Sequence, residues 1–123
     1  MIISFGWTSQ YLPPKGTKCV TRRRWAEKTI QAWQRSFDAD PTRRHIAVNK
    51  CLAYGGKSIG SLTLTARPYL ERLADMPHED LVHEGGMCNS VQEFIDRYFD
   101  GDSDRVITVI RFKFTEFTQL SIL

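Results

Sequence analysis

Apolar and polar positions change period several times along the chain, and each change marks an element. Ile2 to Trp7 is a short β-branched and aromatic run followed by Thr8-Ser9 and then Pro13-Pro14-Lys15-Gly16, which predicts a strand and a turn. From Trp25 the spacing becomes helical: Ala26, Ile30, Trp33 and Phe37 lie four, three and four apart, and Asp38-Ala-Asp-Pro41 ends the stripe. His45 to Tyr54 is apolar and β-prone, Gly55-Gly56 turns it, and Ser58 to Ala66 alternates with period two. A hairpin is expected there, with Ile59, Leu62 and Leu64 inward, although the step from Ile59 to Leu62 breaks the alternation.

After Arg67-Pro68 the pattern is helical again, in short pieces. Pro77 suits a first turn, Glu79 and Asp80 lie where a helix dipole favours anions, and Gly85-Gly86 supplies a stop. Ser90 and Glu93 form a capping box for a helix that buries Val91, Phe94, Ile95, Tyr98 and Phe99. Asp100-Gly-Asp-Ser-Asp104 is a polar turn without the downstream glutamate of a calcium loop. Arg105 to Phe117 begins apolar on both faces and ends half-solvated, a long closing strand. Strands grouped around two or three short helices, without βαβ alternation, predict an α+β fold: a strongly curved sheet or small β-barrel flanked by helices.

With 123 residues and 14.2 kDa the chain suits a single domain spanning residues 1–123. A 41% apolar and 25% charged composition is that of an ordinary globular protein, and no apolar run approaches the roughly 20 residues of a membrane span. Membrane insertion and secretion are not expected, and a cytoplasmic location is. The net charge of +3 conceals a division: residues 1–60 hold eleven basic and three acidic side chains, residues 61–123 six and eleven. A basic face that attracts phosphates is one consequence, and mutual pairing of the two halves is another.

Cys19, Cys51 and Cys88 form no CxxC pair, and His45, His78 and His83 are not spaced as ligands. Reduced thiols, no metal and no cofactor are the expectation. The apolar end, Leu120-Ser-Ile-Leu123, suits a dimer contact as readily as a frayed terminus.

The densest polar segment is Lys15-Gly16-Thr17-Lys18-Cys19-Val20-Thr21-Arg22-Arg23-Arg24-Trp25. Consecutive arginines beside a tryptophan offer charge for phosphate and a flat surface for a base. Equally, Trp25 could be a core residue at a helix entry and the arginines solvated or paired with the acidic half. Gly16 to Arg22 resembles the G-x-K-T-v-T-x-R signature of the ASCH domain family, small PUA-like β-barrels with flanking helices. The likeness continues through Tyr54-Gly-Gly-Lys-Ser-Ile-Gly60, the acidic Met76 to Gly85, the aromatic Val91 to Tyr98 and the strand Val106 to Phe114. Cys19 departs from the threonine common at its position.

The resemblance implies RNA binding, or amide hydrolysis on N4-acylated cytidine, with catalytic roles falling on Lys18, Thr21 and Glu84. A threonine hydroxyl needs a base to become a nucleophile, a buried lysine of lowered pKa can be that base, and Glu84 would protonate the leaving amine or polarise water. In a regular strand Lys18 and Thr21 would face opposite ways, so Lys18 must precede the strand or a bulge must intervene. Three functions remain open. The first is an RNA, single-stranded nucleic acid or nucleotide-binding module, with Arg22, Arg23, Arg24, Trp25, Arg43 and Arg44 as candidate contacts. The second is a metal-free amidohydrolase on an acylated, modified nucleoside, and the third a protein-interaction domain.

Overall fold

The structure, a computed structural model, describes residues 1–117, so the terminal Leu120–Leu123 segment lies outside the described residues. Its centre is a strongly curled mixed sheet, a half-barrel, flanked by a few short helices. The strands are β1 (Ile2–Ser4), β2 (Val20–Arg23), β3 (Arg44–Val48), β4 (Ser58–Leu64), β5 (Tyr69–Arg72) and β6 (Val106–Glu116). They run in the order β1-β3-β4-β6-β2, with β5 also on β6; β1 is parallel to β3 and the other pairs are antiparallel. The curl follows from β6, which pairs β5 over Val106–Val109, β2 over Thr108–Arg111 and β4 over Phe112–Glu116. One strand thus serves three partners.

Both faces of β6 are covered, which explains its doubly apolar start. Ile107 and Val109 face a cluster with Val20, Leu73, Met76, Leu81, Phe94, Ile95 and Phe99, whereas Ile110 and Phe112 face Ile3, Phe5, Leu12, Trp33, Leu62 and Leu64. Helix α1 (Glu27–Ala39) lays Trp33 and Phe37 on the second cluster; helix α3 (Val91–Tyr98) lays Phe94 and Ile95 on the first. The Ser90 half of the capping box forms as expected, Ser90 Oγ accepting from the Glu93 amide at 3.0 Å, while Glu93 Oε2 accepts from the Asn89 amide at 3.0 Å, one residue before the cap. Between them α2 (Asp80–His83) is a single turn ending at Glu84. Among the described residues no helix is long and apolar enough to cross a membrane.

Three local expectations change. The Ile2–Trp7 segment is extended only to Ser4, because Gly6, at φ 54°, turns the chain into a 3₁₀ turn over Gly6–Tyr11. Tyr69–Arg72, expected helical, is strand β5: pairing with β6 overrides the helix preference of Leu70, Glu71 and Arg72 in so short a piece. Ile59 packs against the same cluster as Leu62 and Leu64, but from a position out of step with them. Gly60, Leu62 and Leu64 are the buried positions of β4, and Ile59 lies half-buried between the alternating positions.

Candidate active site

Gly16 begins the construction. A Cβ there would collide with the carbonyl oxygen of Tyr11, and its absence lets the loop close so that the Lys18 amide donates to that same carbonyl at 2.9 Å. The Cys19 amide donates to the His83 carbonyl at 2.7 Å and Thr17 Oγ1 to the Val82 carbonyl at 2.6 Å, which tie the loop to α2. Lys18 therefore precedes β2 and Thr21 lies within it, one of the two arrangements that allow both to face one cleft.

That cleft, about 350 Å³, is lined by Lys18, Thr21, Arg22, Arg23, Arg24 and Glu84 among its polar groups. Phe5, Trp7, Met87, Phe94, Tyr98 and Phe99 supply its apolar wall. Lys18 and Glu84, 2% and 3% exposed, meet there: Nζ donates to Oε1 at 2.9 Å and to the Glu84 carbonyl at 3.1 Å. Burial pushes the Lys18 ammonium down from its ordinary value, and attraction to Glu84 opposes this without reversing it.

Arg22 is the hub beneath the cleft, its side chain wholly buried. Nε donates to Glu71 Oε1 at 2.9 Å, Nη1 to Glu84 Oε2 at 3.0 Å and Nη2 to Asp80 Oδ2 at 2.5 Å. Arg111 completes the chain, donating to both Asp80 oxygens at 3.1 and 2.7 Å and to Tyr69 Oη at 3.1 Å. Three cations face three carboxylates. Burial works against both Arg22 and Asp80 as ions, but their partners outweigh it: Arg22 is held above its ordinary value and Asp80 is pulled down to about 2. Taking such charges out of water costs several kcal/mol per ion, so the network is fully paired out of necessity.

Arg22, a candidate nucleic-acid contact from the sequence, thus lines the cleft with its side chain buried and its fork turned to carboxylates. Arg23 is different. Its Nε donates to Thr21 Oγ1 at 3.0 Å and its guanidinium lies 5.3 Å from the Phe5 ring centre, but among the described residues its Nη atoms donate no hydrogen bond and no carboxylate pairs with it. Burial lowers its pKa, with Glu84 opposing. Thr21 Oγ1 thus accepts from Arg23 and keeps its own proton to give. Arg24 sits on the rim, stacked 4.8 Å from the Phe99 ring centre and donating to the Tyr98 carbonyl at 2.7 Å.

Trp25 is not in the cleft: it stacks on Trp33 at 5.3 Å as part of the core under α1. Arg43 and Arg44 are exposed at the start of β3 and do not line the cleft either. The structure therefore joins Lys18, Thr21, Glu84, Arg23 and Arg24, and separates Trp25, Arg43 and Arg44 from them. Residues not singled out from the sequence as site residues complete the site: Glu71, Asp80 and Arg111 by charge, Trp7, Met87, Tyr98 and Phe99 by shape. Tyr98 and Phe99 read as a helix core stripe because they belong to α3's buried face as well as to the wall. Among the described residues no group of three His, Cys, Asp or Glu is arranged to hold a metal ion. No family model, curated protein or solved structure matches the chain.

Proposed function

We propose that the cleft is the active site of an ASCH-type amidohydrolase that removes the acyl group from an N4-acylated cytosine nucleoside. The observation that carries this reading is the meeting of a buried, pKa-lowered Lys18 with Glu84 in the cleft that also holds the Thr21 hydroxyl. Thr21 Oγ1 attacks the amide carbonyl while the neutral Lys18 amine takes its proton; a carbon–oxygen bond forms. The Arg23 Nη groups, beside Thr21 and with no carboxylate of the described residues paired to them, are the donors for the tetrahedral oxyanion. The carbon–nitrogen bond then breaks, and the proton held by the Lys18–Glu84 pair passes to the departing exocyclic amine. Water, deprotonated by the same pair, cleaves the acyl ester and restores Thr21. No step requires a metal or a cofactor.

A cleft of this volume suits one nucleoside, and the basic tract is mostly engaged elsewhere: Arg22 with carboxylates, Arg24 with Tyr98, Arg43 and Arg44 away from the cleft. These facts favour a small ligand over a long strand. The unquenched Arg23 edge favours a second reading, recognition of an oxyanion or a nucleotide without turnover. Purified chain is incubated with a panel of N-acylated nucleosides, and acyl release is followed for the wild type and Lys18→Met. Release by the wild type and its loss in the variant are expected. No release from any member removes the hydrolase reading, and RNA affinity that falls steeply with salt would then support the second.

A further inference from the structure

Trp7 is the cleft aromatic left most in the open: 57% of its surface is accessible, whereas Phe5, Phe94 and Phe99 are buried and Tyr98 is half-buried. An indole in water forfeits the burial that makes tryptophan a core residue elsewhere. The segment that carries it is nevertheless tied down by hydrogen bonds. The Phe5 amide donates to the Val48 carbonyl at 3.0 Å, Thr8 Oγ1 donates to the Phe5 carbonyl at 2.6 Å, and Gln10 Nε2 donates to the Trp7 carbonyl at 3.1 Å. The ring stands edge-on to Tyr11, 6.0 Å away at 84°, and tilted against Tyr98, 5.9 Å away at 32°.

The wall behind it is equally held. Tyr98 Oη donates to Met87 Sδ at 3.7 Å and packs edge-on against Phe94 at 5.2 Å, while Arg24 grips the Tyr98 carbonyl. A preformed pair of aromatic faces beside a cleft whose floor is charged favours a ligand with one flat π-face and one polar edge. The geometry points to Trp7, with Tyr98, as a stacking platform for a planar heteroaromatic ring, which makes Trp7 the residue that selects base-like ligands over aliphatic amides. The inference rests on the hydrolase reading only for the bond that is cleaved. An unreactive nucleoside sits on the same platform.

Equilibrium dialysis of cytidine against the wild type, Trp7→Leu and Trp7→Phe tests this directly, since cytidine lacks the acyl amide and binds without turnover. Circular dichroism checks the fold, which an exposed residue leaves intact. The leucine variant is expected to bind about tenfold more weakly, the worth of one base–aromatic stack, and phenylalanine to restore most of the affinity. With N4-acetylcytidine the loss should appear in KM rather than in kcat. Undiminished cytidine binding by Trp7→Leu, absence of binding by the wild type, or a defect confined to kcat would overturn the platform. Cytidine binding that depends on Trp7, without acyl release from any substrate, removes the hydrolase reading and leaves the platform standing.

Discussion

Replacing Arg22 with methionine removes the guanidinium shared by three carboxylates. Asp80 keeps Arg111 and Glu84 keeps Lys18, but Glu71 loses both of its contacts, 2.9 and 3.4 Å, with only 9% of its side chain exposed. Breaking a buried pair by deleting one partner costs about 3–5 kcal/mol, against about 5–15 kcal/mol for the whole stability of a typical domain. The expected loss at neutral pH is therefore at least about 3 kcal/mol, read as the shift in a urea transition monitored by circular dichroism at constant slope. A loss below about 1 kcal/mol, the worth of an exposed ion pair, would refute the view of Arg22 as an electrostatic hub.

Other consequences concern acid and packing. Asp80, held at about 2 and thus below its unfolded value, contributes stability that is complete above about pH 4 and is lost as pH falls toward 2; Asp80→Asn should remove that part of the acid limb in pH-dependent melting. His45 lies tilted against Trp33, ring centres 4.6 Å apart, and burial, with the neighbouring N-terminal amine and Arg43, lowers it to about 4. The folded state resists its protonation, so stability drops between about pH 6.5 and 4; His45→Phe, which keeps an aromatic ring against Trp33, should flatten that interval in the same melts. Thr108 Oγ1 is buried without a hydrogen-bond partner among the described residues, so Thr108→Val should raise unfolding stability by about 1 kcal/mol in urea titration.

The legible parts of the fold were those where one local rule suffices. Ser90 and Glu93 announce α3 because a capping box is local chemistry, and Trp33 and Phe37 announce α1 because burial follows the helical period. Tyr69–Arg72 was not legible, because its strand state is imposed by β6, more than thirty residues away. At the site, Lys18, Thr21 and Glu84 were reachable through the resemblance of their surroundings, and the structure brings them to one cleft. Arg22 and Arg23, adjacent and chemically identical, could not be told apart in the sequence: alternation along β2 sends one to three carboxylates and leaves the other's outer edge without one. The charge division between the halves proved to be largely internal at this point, with Lys18 and Arg22 from the first half meeting Glu71, Asp80 and Glu84 from the second.

Most direct is the rate of cytidine release from N4-acetylcytidine by Thr21→Ser and Thr21→Val, measured beside their affinity for cytidine. If the hydroxyl held by Arg23 is the nucleophile, serine retains turnover, whereas valine loses at least about a thousandfold in kcat with cytidine affinity unchanged. A valine variant that still releases cytidine at a rate comparable to the wild type would contradict the assignment.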